Sequence, residues 1–335
     1  MMSKTGILVI VGVLAASGVY FAFGSKRGIT ISGNIAPEPK RPSSIAGLPA
    51  TAGCATAGRR QLAVMLASDP ETRPLSGIGS ADLVIEMPVT PNGVTRFMAV
   101  YQCQTPKEIG SIRSAREDFI PLAAGFSAVY AHWGGEHSAL DRLNKKIVDN
   151  INALQFDGTV FYRKKNIRPP HNGFSSPDLL FGQAKSFGYN PAKDFTGYPH
   201  TDAAPAKNIA NLTTSVAIPY PYPYDVKWVY KADRNLYARS RGGRPEIDRN
   251  DNKQVTASVI AVMHTSSRIL YKGDQYIEIR TTGEGIAEIY QSGIKITGTW
   301  KKDPKRLDSK LYFFDQEGRE IKFVPGQIWI EIVTS

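Results

Sequence analysis

Residues 108–118 read E-I-G-S-I-R-S-A-R-E-D, and the predicted fold and site both start from this stretch. Ser114, followed three residues later by Glu117, matches a helix capping box, so the pattern predicts a helix with Ser114 as its N-cap. Arg113 and Arg116 would flank the helix N-terminus, where free backbone N–H groups and the helix dipole attract anions. The stretch therefore indicates a site for a phosphate or a carboxylate.

A structural interpretation of the same residues is open. Glu117 and Asp118 would complement the helix dipole, and each arginine would pair with a carboxylate. On that interpretation the arginines hold the fold together and bind no ligand.

Outward from this stretch, hydrophobic patterns alternate between strands and helices. Strands are predicted over 61–67, 83–87, 94–103 and 127–133, with a turn at Pro91-Asn92-Gly93, and helices over 137–154 and 177–187. From Asp225 onward the pattern changes to short strands separated by Gly, Asp and Asn turns. The fold class is α+β: an α/β-type N-terminal domain, then a β-rich domain, behind an N-terminal membrane helix.

The predicted organisation has five segments. They are an anchor or signal segment at 1–24, a flexible linker at 25–58, an α/β domain with the candidate site at 59–200, a Pro/Tyr-rich connection at 201–224, and a β-rich domain at 225–335.

The N-terminus carries 19 uncharged residues, Gly6–Gly24, between Lys4 and Lys26-Arg27. That length is enough for one membrane-spanning helix. A signal peptide cleaved after Ala22-Phe23-Gly24 is the alternative. The charges on the two sides do not favour one orientation.

The net charge of +11 is spread along the chain, as +4 over 1–58, +3 over 59–200 and +4 over 201–335. No segment is a dedicated polycation, which argues against nucleic acid as a partner. The cysteines Cys54 and Cys103 form no C-x-x-C motif. In an exported protein they would form a disulfide, and in a cytosolic one they would be buried thiols.

Candidate site residues gather in the predicted α/β domain. Arginines at strand ends and in loops suit phosphate and carboxylate groups. The predicted ligand-binding residues are Arg96, Arg113, Ser114, Arg116 and Asn172. No cofactor or metal is predicted, because no motif for either occurs.

Histidines and carboxylates supply the candidate catalytic residues, should the protein be an enzyme. His132 ends a predicted strand in H-W-G-G-E-H (132–137), and His171 lies in P-P-H-N-G (169–173). The catalytic set is His132, His171, Glu86 and Glu136, with the histidines as acid or base. A packed core histidine at 132 and a solvated turn at 171 are the structural alternatives.

Several motifs in order resemble the YerB-like putative lipoprotein family, which has two domains of unknown function (domain of unknown function 3048, N- and C-terminal). These motifs include RPLSGIGSADLVIE (73–86), GVTRFMAVY (93–101), IGSIRSAR (109–116), YAHWGG (130–135) and PGQIWIEIV (325–333). The resemblance implies the domain division and an exported, membrane-attached body, and it implies no activity. One departure concerns the lipid anchor, since Leu14-Ala15-Ala16 is followed by Ser17 and not by cysteine.

Three functional hypotheses follow. The first is an extracytoplasmic cell-envelope protein, anchored by one N-terminal span, that binds an anionic glycan, peptide or lipid phosphate through the arginines, with an envelope protein as the other candidate partner. The second is an envelope phosphotransferase or hydrolase that uses Arg113 and Arg116 with His132 or His171. In the third, the motifs only determine the fold.

Overall fold

The computed structural model describes residues 44–47, 54–192, 195, 197–201, 212–270 and 276–334. The predicted span at Gly6–Gly24 lies outside these residues. Among the residues described, no helix is long and apolar enough to cross a bilayer.

The N-terminal half contains eight strands and all four helices of the described chain. The strands are β1 (Leu62–Ala67), β2 (Leu83–Pro88), β3 (Thr95–Tyr101), β4 (Ile109–Gly110), β5 (Val129–His132), β6 (Asn150–Asn152), β7 (Tyr162–Arg163) and β8 (Gly173–Ser175). The helices are α1 (Ile120–Gly125), α2 (His137–Asn144), α3 (Ala153–Phe156) and α4 (Pro177–Ser186). Three 3-10 turns cover Pro70–Thr72, Ile78–Ser80 and Glu117–Phe119.

The C-terminal half is built from strands, as the sequence predicts. They are β9 (Ser215–Ile218), β10 (Val226–Lys231), β11 (Leu236–Arg241), β12 (Arg244–Pro245), β13 (Thr256–Ala257), β14 (Val259–Thr265), β15 (Ser267–Ile269), β16 (Ile277–Ile279), β17 (Gly283–Gln291), β18 (Ile294–Lys302), β19 (Tyr312–Phe314) and β20 (Ile328–Thr334). Segment 320–324, whose apolar pattern also predicts a strand, makes only isolated bridges to Phe314 and His200, so that prediction is wrong.

One ten-stranded sheet runs through both halves in the order β19-β18-β17-β14-β20-β2-β3-β1-β5-β6. The halves join where β2 pairs in parallel with β20, with Leu83 opposite Ile328. The described residues from 44 onward belong to one compact unit. The domain boundaries predicted between residues 200 and 225 therefore stay a prediction. The ten-stranded sheet contains strands from both sides of them.

Both faces of this sheet are covered, so its central strands are buried along their whole length. On one face, Met65, Met98 and Ile330 pack with residues of α1 and α2. On the other, Phe97 and Trp329 pack under the smaller sheet β9–β13, with the Trp228 and Trp329 rings 5.2 Å apart. We call these the helix face and the small-sheet face.

Local patterns decide several elements. The β2–β3 hairpin turns at Gly93, whose φ of +81° is costly for any residue with a side chain. Helix α4 begins as predicted, with Ser176 Oγ accepting from the Leu179 N–H at 3.3 Å and Pro177 at the first position. The helix predicted over 137–154 ends at Asn144, because the chain turns at Lys146 (φ +54°) and enters β6.

The disulfide left open by the sequence is present between Cys54 and Cys103, with 4.7 Å between the Cα atoms. Ile45 is 1% exposed, and its N–H donates to the Gln102 side chain. Stretches 44–47 and 54–58, which the sequence assigns to the linker, thus pack on the body. The Tyr-rich connection packs as well, since the buried Tyr220 hydroxyl donates to the Glu86 carbonyl at 3.1 Å.

Candidate functional site

The segment after β4 extends the sheet at the end of β1 and so places Arg113. Ala67 N–H donates to Ser111 O and Arg113 N–H donates to Met65 O, both at 3.0 Å, and Trp133 N–H donates to Arg113 O at 3.0 Å. Side chains alternate between the faces of an extended chain, so Arg113 lies on the opposite face from Ile112. Ile112 belongs to the small-sheet face, which puts Arg113 on the helix face.

Arg96 reaches the same place from β3. It alternates with Phe97 and shares the helix face with Met98. Only 4% of Arg96 is exposed, and its Nε and Nη1 atoms have no hydrogen-bond partner. The nearest carboxylate is Asp69, 3.6 Å from Nη1.

The electrostatic surroundings of Arg96 are unfavourable for a cation. Burial, followed by the positive charges of Arg113 and Arg116 and only partly offset by Asp69, lowers the pKa of Arg96 to about 9. Arginine normally keeps its charge in proteins because its pKa lies above 12. The three guanidinium groups therefore form one cluster with too few negative charges.

Arg116 closes one side of this cluster. It is 8% exposed, its Nη1 donates to the Ala115 carbonyl at 2.9 Å, and its Nε lies 3.9 Å from Glu136 Oε2. The Tyr276 ring, from the C-terminal half, stacks on its guanidinium at 4.5 Å. A residue 160 positions away in the chain thus packs directly against Arg116.

His171 joins the cluster from the P-P-H-N-G turn. Its Nδ1 lies 3.1 Å from Arg113 Nη1. Burial, followed by the charge of Arg113, lowers the pKa of His171, so the imidazole is neutral near pH 7. Asn172 is 5% exposed, but its side-chain oxygen accepts from Arg163 Nη1 at 3.2 Å and not from the three clustered arginines.

The capping prediction for Ser114 is wrong. The residue at the N-cap of the Glu117–Phe119 turn is Arg116, and no side chain caps this turn from that position. The Glu117 N–H donates instead to Glu136 Oε1 at 2.9 Å, so a partner from another part of the chain replaces the local one. Pro121 does not interrupt α1, since it lies in the first turn, where its missing N–H costs nothing.

The other predicted catalytic residues do not converge with the cluster. Glu86 is fully buried on the small-sheet face, where it pairs with Arg239 and Arg241. His132 is fully buried, with Nδ1 2.7 Å from Gly134 O and Nε2 3.3 Å from Asn150 Oδ1. Burial lowers the pKa of His132, as expected for a packed core histidine. Of the predicted set, Glu136 and His171 reach the arginines.

Sequence reasoning missed two residues that contact the arginines of the candidate site. Asp69 follows β1 in a turn-rich stretch and carries no motif, and Tyr276 reaches Arg116 only through the fold. Among the described residues, no group of three or more His, Cys, Asp or Glu side chains is placed to hold a metal ion.

Comparison with known proteins gives consistent results. Residues 45–190 match the family model described as protein of unknown function (DUF3048) N-terminal domain, and residues 216–330 match its C-terminal domain. "Putative lipoprotein YerB" of Bacillus subtilis (strain 168) is 33% identical over 283 residues, which is 82% of this chain and 81% of that protein. The crystal structure of the YerB protein from Bacillus subtilis matches with a TM-score of 0.74 at 30% identity, over 83% of this chain and 91% of that one.

Proposed function

Because the chain belongs to the DUF3048 family, we propose that it is an extracytoplasmic cell-envelope protein that binds an anionic ligand through Arg96, Arg113 and Arg116. The ligand class is a glycan, peptide or lipid that carries phosphate or carboxylate. Membrane attachment through the apolar N-terminal run is part of this proposal. Its support is that run itself and the relative whose name describes a lipoprotein.

The unpartnered guanidinium of Arg96 carries the proposal. A buried polar group without a hydrogen bond costs about 1–3 kcal/mol, and more when it is charged. Arg96 has two such nitrogens, and Arg116 Nε, 3.9 Å from Glu136 Oε2, is a third. A bound phosphate or carboxylate would accept from these nitrogens and supply the missing negative charge.

A smaller observation favours the enzymatic alternative. His171 is neutral, and its Nδ1 accepts from Arg113 Nη1, so its electron pair would be available for general-base catalysis once a bound anion takes over the Arg113 donor. Glu136 would be its acidic counterpart near Arg116. An envelope phosphotransferase or hydrolase would thus use His171 and Glu136, without His132 or Glu86.

Thermal unfolding of the full-length protein in detergent tests the binding proposal. The probes are inorganic phosphate, tetragalacturonate, an N-acetylated alanine dipeptide and dioctanoyl phosphatidate. A ligand at 100 times its Kd should stabilise the protein by about 2.7 kcal/mol. The Arg113→Ala/Arg116→Ala variant should lose this shift while staying folded.

The matched control is Arg168→Ala/Arg234→Ala, which removes the same charge from two exposed positions. It should keep the full shift. The proposal fails if no probe shifts the wild-type protein, or if the shift survives in the Arg113/Arg116 variant. If the Arg113/Arg116 variant without ligand melts well below the wild-type protein, the two arginines stabilise the fold instead.

A further inference from the structure

A cavity of about 540 Å³, separate from the arginine cluster, lies where three parts of the chain meet. The turn after β1 contributes Pro70 and Arg73, the Tyr-rich connection contributes Tyr222, and the β11–β12 hairpin contributes Arg244 and Glu246. None of these residues belongs to the arginine cluster. The volume is in the range of ligand pockets.

The walls of this cavity combine a flat aromatic ring with hydrogen-bonding groups. Tyr222 is 82% exposed, although a tyrosine of the connection normally gains by packing. Arg73 Nη2 donates to the carbonyls of Ser68 and Pro223, at 3.2 and 2.9 Å. Its Nε is buried and has no hydrogen-bond partner. Arg244 is exposed at the rim.

The cavity is a close neighbour of the arginine cluster. Asp69, beside Arg96, and Arg73, in the cavity wall, flank the single 3-10 turn Pro70–Thr72. Four residues separate their Cα atoms by at most about 14 Å, and a 3-10 turn shortens this. Burial raises the pKa of Tyr224, and the charges of Asp69, Arg73 and Arg96 all influence it, so the Tyr224 hydroxyl is electrostatically coupled to both places.

We propose that this cavity is a second subsite, for a sugar ring with a negatively charged substituent, and that it and the arginine cluster together bind successive units of one anionic glycan. The ring would stack on Tyr222, and its substituent would accept from Arg73 and Arg244. The part of this inference that concerns the arginine cluster rests on the proposed function. The Tyr222 subsite is argued from the cavity itself.

A proline-rich peptide is the other occupant that the chemistry allows. Such peptides dock in grooves lined by several aromatic side chains. Tyr222 is the one aromatic residue among the described residues that line this cavity, and the rest of the lining combines four prolines and other apolar residues with Arg73, Arg241, Arg244 and Glu246. The lining therefore favours the sugar.

Titration calorimetry on the full-length protein in detergent tests the subsite. The probes are tetragalacturonate, inorganic phosphate and a decaproline peptide. Tyr222→Ala and Arg244→Ala should each weaken tetragalacturonate binding by about tenfold or more, equivalent to about 1.4 kcal/mol. Neither should change the affinity for phosphate at the arginine cluster, because free phosphate has no ring to stack on Tyr222. Both side chains are exposed, so both variants should fold.

Tyr312→Ala is the matched control, because Tyr312 is a 36% exposed tyrosine of β19, outside this cavity. It should leave tetragalacturonate binding unchanged. If Tyr222→Ala and Arg244→Ala leave that binding within about twofold of wild type, or only decaproline binds at Tyr222, the subsite inference is overturned. If phosphate does not bind but tetragalacturonate binds and depends on Tyr222, the arginine site is overturned and the Tyr222 subsite is retained.

Discussion

The Arg96 guanidinium lies 3.6 Å from the Asp69 carboxylate, and neither Arg96 Nη1 nor Asp69 Oδ2 has a hydrogen-bond partner. The pair is buried and close enough to attract, but too far apart to share a proton in a hydrogen bond. A buried pair in this geometry gains little over its desolvation cost. The Arg96–Asp69 pair thus adds little to stability, and on the proposed function the free guanidinium nitrogens would donate to a ligand anion.

Arg96→Met should therefore change the free energy of unfolding of the unliganded protein little, because it removes a buried charge that Arg113 and Arg116 repel and leaves Asp69 with part of its side chain in water. The same variant should lose the thermal shift produced by phosphate. Urea unfolding with and without phosphate measures both effects, and Arg168→Met is the exposed control. A loss of stability in Arg96→Met with an intact phosphate shift would contradict this account.

Glu86→Gln should destabilise the protein by about 3–5 kcal/mol, because it removes a buried charge from Arg239 and Arg241. The phosphate shift should persist at temperatures where the variant is folded, since Glu86 lies on the small-sheet face, away from Arg96. Denaturant midpoints and ligand shifts separate the two effects. If Glu86→Gln has wild-type stability but no longer responds to phosphate, the prediction is contradicted and Glu86 belongs with the candidate ligand-binding residues.

Asp118 should make stability fall as pH rises. Burial, followed by the nearby Glu136 carboxylate, raises the pKa of Asp118 to about 7. The folded protein then holds a proton that the unfolded chain has released, so the unfolding free energy declines between about pH 4 and pH 7 and levels off above it.

Asp118→Asn should remove this part of the pH dependence, because its side-chain oxygen can still accept from the Ile279 N–H as Asp118 does at 2.9 Å. Urea titrations at pH 5, 6, 7 and 8 compare it with wild type and with Asp141→Asn, an exposed control. Parallel pH profiles for wild type and Asp118→Asn would contradict the assignment.

The Cys54–Cys103 bond closes a loop with a sequence separation of 49 residues. In the chain-entropy model, removing it by Cys54→Ser/Cys103→Ser should cost about 4 kcal/mol. Equilibrium unfolding in urea measures the loss, and the wild-type protein with added reductant should approach the same midpoint. A loss under about 1 kcal/mol would mean that the reduced chain keeps the same loop closed by packing.

Much of the secondary structure was predictable because it depends on local patterns. The β2–β3 hairpin follows from Pro91-Asn92-Gly93, and the start of α4 follows from Ser176-Pro177. The capping box at Ser114 failed for a physical reason. The segment 111–113 is held extended by hydrogen bonds to β1 and Trp133, and Glu136 supplies the acceptor that Ser114 was expected to provide.

The candidate site was half predictable. The chemistry of arginine pointed to Arg96, Arg113 and Arg116 as candidates. The Pro-Pro-His-Asn-Gly turn pointed to His171, which contacts Arg113 in the structure. The sequence could not separate Glu86 from Glu136, since both are carboxylates near strand ends. Which face of the sheet each occupies depends on strand order and register, and a shift of one residue reverses the face.

The sequence alone determined most of the strands, the hairpin, the basic candidate residues and the β-rich character of the C-terminal half, because each depends on residues within one turn or strand. Tertiary structure alone decided that β2 and β20 join the halves into one sheet. It also decided that Asp69 and Tyr276 meet the arginines, and that Glu86 is buried away from them. These contacts join residues far apart in the chain, and the packing of the whole core, not any local pattern, brings them together.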